Sequence, residues 1–147
     1  MKKLLAKIAV VSLTLSLLGA PSYAAAKSIE LKLSHATPRS STWHQGAEKF
    51  VSIIKEKTSA KYDIKIYPSD ELSGGNQVAG IELLQTGVTD IHMQDALVWS
   101  AIAKKSILPC FPWLLPTYKD VDAAMRGEGG KAMKKVINEV GVVCLAI

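Results

Sequence analysis

Ile29 to Leu33 alternates apolar and polar residues, the pattern of a strand with one buried face. A polar loop holding Pro38 follows, and the period then changes. Trp43, Ala47, Phe50, Val51 and Ile54 recur at helical spacing, so a helix is expected from about Trp43 to Lys57 with those residues inward. Thr42 and Gln45 offer a capping box at its start, a hydroxyl for one orphan amide and a carboxamide for another. Tyr62, Ile64 and Ile66 return to alternation and predict a second strand, Tyr62 to Tyr67, ended by Pro68. Ser69 to Asn76 reads as a polar loop around Gly74-Gly75. A second helix, roughly Gln77 to Gln85, turns Val78, Ile81 and Leu83 or Leu84 inward, and Gly87 stands where a left-handed C-cap is needed.

The carboxyl half continues the alternation of elements. Val88 to Met93 reads as a third strand and Ala96 to Ala103 as a short helix. Pro109 and Pro112 break the apolar run Ile107 to Leu115, which is therefore expected to be extended. Helices are predicted at about Lys119 to Met125 and Gly130 to Val140, the latter capped by Gly141. Val142 to Ile147 is wholly apolar and reads as the start of a buried strand. The order is βαβαβ, which implies an α/β fold with a mostly parallel sheet flanked by helices. No internal repeat or low-complexity linker interrupts it. Stopping inside an apolar strand without a polar tail is unusual for a domain. The expectation is therefore an amino-terminal part of a longer protein.

The first 26 residues follow other rules. Lys2, Lys3 and Lys7 make a positive leader ahead of the apolar run Ile8 to Ala20, which is too short to span a bilayer. Ser22-Tyr23-Ala24 and Ala24-Ala25-Ala26 both place small residues at cleavage positions. Residues 1–26 are thus expected to be a cleaved signal peptide, with export to the periplasm and residues 27–147 as one domain. The leader also carries much of the charge. The chain has 18 Lys+Arg against 13 Asp+Glu, or +5; without Lys2, Lys3 and Lys7 the balance is 15 against 13, or +2. That excess, with no basic block, gives no reason to expect nucleic acid as a partner. Cys110 and Cys144 would meet an oxidising compartment. Both sit in apolar surroundings and read as buried thiols, with a disulfide left open.

Catalytic constellations are missing from the pattern. His35, His44 and His92 are separated by nine and forty-eight residues, and no His-Glu-x-x-His or Cys-x-x-Cys supports a metal site. No Gly-x-Ser-x-Gly supports a hydrolase elbow. Ser73-Gly74-Gly75-Asn76 precedes a helix without the Lys-Ser/Thr of a phosphate loop, so a turn is expected. Asp70-Glu71 and Asp120 with Asp122 read as solvated. An exported enzyme is the alternative these observations disfavour.

The stretch Leu31 to Phe50, LKLSHATPRSSTWHQGAEKF, resembles the amino-terminal signature of the DctP-like solute-binding subunit of TRAP transporters, the tripartite ATP-independent periplasmic family. Further pieces occur in the family's order: Glu56-Lys57-Thr58, Ile66-Tyr67-Pro68, Leu72-Ser73-Gly74-Gly75, Glu82 to Gly87 leading to Asp90-Ile91, and Phe111-Pro112-Trp113-Leu114-Leu115. Two departures stand out. Ser59-Ala60 occupies the place of a common Gly pair, and Trp113 replaces a usual Phe.

The resemblance implies the first, incomplete lobe of a periplasmic-binding-protein-like fold, truncated before the second lobe. It implies a protein that binds a small organic acid and delivers it to TRAP membrane permease subunits. It implies no enzymatic activity, no cofactor, no metal, and a monomer when complete. A binding protein of an ATP-driven importer, or a sensor ectodomain, shares the architecture and is the runner-up. The family's carboxylate-pairing arginine would fall after Ile147. His35 and Asp95 carry over as substrate-binding candidates, both at carboxyl ends of strands, where open α/β sheets bind ligands. His35 reads equally as a residue orienting the loop, and Asp95 as the cap of the Ala96 helix. Gln94 is a candidate by adjacency. Trp43 and Trp113 are candidates for the cleft lining or for the core.

Overall fold

The computed structural model describes residues 27–147, so the expected signal peptide lies outside the described residues. The elements are β1 (Ile29–His35), α1 (Thr42–Lys57), β2 (Tyr62–Tyr67), α2 (Gln77–Gln85), β3 (Ile91–Met93), α3 (Ala96–Trp99), α4 (Tyr118–Arg126) and α5 (Glu128–Asn138). Two 3-10 segments, Glu71–Ser73 and Lys104–Cys110, complete the order. The strands form one parallel sheet in the order β2-β1-β3, with Leu33 opposite both Ile66 and Ile91. Stepping from β1 to β2 and then back past β1 to β3 reverses direction. With right-handed crossovers, that reversal puts α1 and α2 on opposite faces. The apolar clusters agree. Leu33, Ala47 and Ile64 form one, flanked by Phe50 and Ile54; Ile81, Trp99, Ala103 and Ile137 form the other. Among the described residues no helix is long and apolar enough to cross a membrane.

Several local expectations change. The cap of α1 is Ser41, not Thr42: its hydroxyl accepts from the His44 N–H at 3.2 Å, and Thr42 is already helical. A capping box forms instead on α4, between Thr117 and Asp120. β3 is shorter than expected at its amino end. There Asp90 Oδ2 accepts from the Lys32 N–H at 2.8 Å, so a side chain takes the place of a ladder carbonyl. Lys104–Cys110 is a 3-10 helix where an extended run was expected. The buried Ser106 hydroxyl anchors this segment by donating to the Ala96 carbonyl at 2.8 Å. The thiols are free, Cys110 exposed and Cys144 half-buried, so Cys110 is not the buried hydrophobe expected.

Val142 to Ile147 is not a strand. Its burial alternates at first, Val142 and Cys144 inward and Val143 and Leu145 outward, but it pairs with no strand among the described residues. Side chains hold it instead: Asn138 Oδ1 accepts from the Cys144 N–H at 2.7 Å, and Lys134 Nζ donates to the Leu145 carbonyl at 3.1 Å. Alternating apolarity supplies a face, but strand geometry also needs a partner ladder.

The Ser59-Ala60 pair after α1 has a measurable consequence. Both residues are left-handed, with φ of 49° and 58°. A Cβ in that region costs about 1–2 kcal/mol, and glycine avoids the cost. Ala60 is exposed, so Ala60→Gly removes no packing. It is expected to raise the unfolding free energy by about 1 kcal/mol, read as a higher urea midpoint with an unchanged slope.

Candidate functional site

The reversal of strand order makes a crevice outside the carboxyl ends of β1 and β3, the usual ligand position in open α/β sheets. β1 ends on His35, whose register partner is Met93 at the end of β3. Three segments leave this edge: the loop from Ala36 to Ser41, the Pro68–Asp70 turn, and Gln94-Asp95. A cavity of about 790 Å³ opens along the free side of β3. Trp43 and Phe50 from α1 wall it on one face, Leu84 and Trp99 on the other, with Gln94 at the strand end and the tail Val142–Ile147 opposite. No lysine or arginine lines it. A second hollow of about 550 Å³ lies between the Lys104–Cys110 segment and α5. Its walls, such as Leu108, Leu114, Met125 and Val136, are mainly apolar, with Lys105, Lys135 and Glu139 also among the lining residues.

Behind the crevice lies a buried polar cluster that separate motifs did not reveal. His35 and His44 meet Nε2 to Nδ1 at 2.9 Å. His92 Nε2 stands 3.2 Å from Asp70 Oδ1, with both side chains almost wholly buried. Asp70 ties the two pairs together, because its N–H donates to the His35 carbonyl at 3.0 Å. Asp70 was expected to be solvated; it is 1% exposed. The left-handed turn through Ser69 and Asp70 folds it under the sheet end. Burial is the main cause that lowers the His35 pKa below the ordinary imidazole value, and His44 adds to it. Burial also lowers that of His92, against the opposing pull of Asp70. Both rings are therefore neutral near pH 7. Among the described residues no group of three or more His, Cys, Asp or Glu side chains could hold a metal ion.

The model of the family described as bacterial extracellular solute-binding protein, family 7 (DctP), matches residues 33–147. The chain belongs to this family. A C4-dicarboxylate-binding periplasmic protein DctP from Shewanella loihica is 28% identical over 135 residues, covering 88% of this chain and 38% of the relative. A TRAP periplasmic solute-binding protein from Ralstonia eutropha H16, solved with bound (S)-2-acetolactate, is 31% identical with a TM-score of 0.73 over 78% of this chain and 36% of that one. Another, from Desulfovibrio salexigens with bound orotic acid, is 28% identical with a TM-score of 0.70 over 76% and 36%. The chain thus spans little more than a third of the length of these relatives.

Within this family-7 chain the five candidate residues separate. Trp43 and Gln94 line the cavity. His35 is fully buried and hydrogen-bonded on both ring nitrogens, so it presents no surface to a ligand. Asp95 is exposed and caps α3, Oδ1 accepting from the Val98 N–H at 3.0 Å. Trp113 is 90% exposed in a left-handed turn and lies outside both the cavity lining and the core. His44, Asp70 and His92 were missed because spacing cannot bring together residues from a helix, a loop and a strand. One signal was available: Gly80, inside a helix, marks a close approach. A Cβ there would sit 2.7 Å from His92 Cε1 and 3.2 Å from Asp70 Oδ1.

Gly80→Ala is expected to destabilise. Alanine in an exposed helix interior normally gains about 0.5–1 kcal/mol over glycine. Here the overpacking of a closed polar pair should outweigh that gain, for a net loss of about 1–3 kcal/mol in urea unfolding. A pH dependence follows from the lowered imidazole values. The unfolded chain binds protons at His35 and His92 with the ordinary value of 6.5, and the folded chain binds them less readily. Their contribution is fully present above pH 6.5 and is lost as pH falls toward the lowered folded values. Urea midpoints between pH 8 and pH 5 are expected to be flat at first and then to drop.

Proposed function

We propose that residues 27–147 are the first lobe of a periplasmic solute-binding protein that captures a small organic acid and delivers it to TRAP permease subunits in the membrane. In this reading residues 1–26 are the cleaved export signal, and the working protein is a monomer. The observation that carries the reading is the cavity along the free side of β3, reaching Gln94 at that strand's carboxyl end, in a chain matched by the family from residue 33 to 147. Two relatives more than 25% identical hold organic acids, acetolactate and orotic acid.

Trp43 and Phe50 supply an apolar wall for the ligand body, and the Gln94 carboxamide supplies a donor or acceptor for a ligand oxygen. His35 contributes by shaping the loop, and Asp95 by holding α3 and with it the rim. This reading gives Trp113, exposed and outside the cavity, no ligand contact. The cavity walls carry no cation, so a ligand carboxylate would find its charge partner on a segment not among these residues. A bidentate Arg–carboxylate pair is the geometry best suited to that task.

Calorimetry with mono-, keto- and dicarboxylates, on this chain and on a protein extended to the relatives' length, tests the reading. The extended protein is expected to bind one acid at least about a thousandfold more tightly, a gap of about 4 kcal/mol. In it, Trp43→Ala should weaken binding about tenfold, near 1.4 kcal/mol. Equal affinity in the two proteins would place the whole site in this lobe. No acid bound by the extended protein would end the proposal. Mass spectrometry of the exported protein is expected to find an amino terminus at Ala25 or Lys27.

A further inference from the structure

Four side chains and one backbone amide join the end of β1 to the start of α1 in a closed ring. His35 Nε2 meets His44 Nδ1 at 2.9 Å, with ring planes 56° apart. His35 Nδ1 meets Thr37 Oγ1 at 3.2 Å, and Thr37 Oγ1 meets Ser41 Oγ at 2.8 Å. Ser41 Oγ accepts from the His44 N–H, which closes the ring. Only one hydrogen can lie between His35 Nε2 and His44 Nδ1, so one nitrogen donates and the other accepts.

Glu48 favours one direction. Its carboxylate stands 3.6 Å from His44 Nε2 and favours a hydrogen on that nitrogen. His44 Nδ1 is then the acceptor and His35 Nε2 the donor. His35 Nδ1 accepts from the Thr37 hydroxyl, which accepts from the Ser41 hydroxyl. Every position in the ring is filled once, with both imidazoles neutral.

Added protons have unequal effects. A proton on His35 Nδ1 can be absorbed by turning the Thr37 hydroxyl around. A proton on His44 Nδ1 sets N–H against N–H across the 2.9 Å contact, which must then open. The remaining charged or titratable groups facing His35 are Asp70 from the turn after β2, His92 from β3 and Arg39 from the loop. Of these only Asp70 favours positive charge on His35, while His44, His92 and Arg39 oppose it.

We propose that the His35–His44 pair positions Thr42 and Trp43 at the cavity wall and makes ligand capture proton-linked. With the pair intact, Ser41 holds the first turn of α1, and Thr42 and Trp43 stand at the cavity. Acid splits the pair, frees Ser41 and lets that wall move. His44 is a positioning residue here, since it is not among the residues lining the cavity. The effect on capture rests on the binding role proposed above; the motion of the ligand-free wall does not.

The ligand-free test is nitrogen-15 NMR of the 147-residue chain from pH 8 to pH 4.5. The Thr37 and Ser41 amides and the Trp43 indole are expected to shift together in one acid transition, as the 2.9 Å His35–His44 contact opens, while β2 amides stay in place. His44→Asn keeps an acceptor near the Nδ1 position but does not titrate, so the wall transition should vanish in it. Wall signals that stay fixed while the rings titrate would overturn the proposal, and that comparison needs only the natural sequence. A full wall transition surviving in His44→Asn would overturn it as well. With orotate and 2-acetolactate as probes on the protein extended to the relatives' length, affinity is expected to fall at least tenfold from pH 7.5 to pH 5, and His44→Asn should flatten that fall. An unchanged affinity in the natural protein would overturn the link to capture. A wall transition with no acid bound at any pH would keep the proton device and end the binding role instead.

Discussion

β1 is hydrogen-bonded on both sides, to β2 and to β3, and every other feature of the chain takes its position from that double pairing. Leu33 lies at its centre, fully buried, opposite Ile66 on one side and Ile91 on the other. Burying such a side chain contributes about 1.5–3 kcal/mol, so the register is held by apolar packing as well as by the ladder. A slip of one residue would turn Leu33 out of the α1-facing core and put Lys32 or Ser34 in its place. The same pairing decides where the crevice lies. Because β2 and β3 flank β1, their crossovers cover opposite faces, and the carboxyl ends are left open between them.

At that open end polar chemistry replaces apolar packing. Ser34, His35, His44 and Asp70 are all buried polar groups within a chain whose two cores are otherwise aliphatic and aromatic. Groups of this kind are costly unless they satisfy one another. Here two pairs link different elements, His35 to His44 and Asp70 to His92, while Asp70 Oδ2 and His92 Nδ1 are buried with no partner among the described residues. A single turn of backbone at Ser69 and Asp70, left-handed and non-glycine, delivers the carboxylate to this position. Gly80 leaves the space into which the pair fits.

The local readings that held were those that a single element can decide. The inward face of α1 and the alternation of β2 follow from period alone. Those that failed depended on a partner. Val142 to Ile147 has the composition of a strand and no ladder to join. Asp70 has the composition of a loop carboxylate, yet lies beneath the sheet end against His92. Thr42 has the residue type of a cap, but the path of the loop brings Ser41 to the His44 amide first.

By itself, the sequence determined the class of the fold and the family, because periodicity and ordered motifs are local properties that survive without coordinates. It also marked the strand ends at which a ligand cleft forms in such folds, since the order of elements is written along the chain. Only the tertiary structure decided which side chains line the cavity along β3. Trp43 and Gln94 do, His35 stands behind it, and Trp113 points to solvent. Only the tertiary structure joined three histidines and an aspartate from four separate elements into one buried cluster. The reason is physical: spacing along the chain determines direction within an element, whereas burial and hydrogen bonding are settled by what other elements bring to the same place.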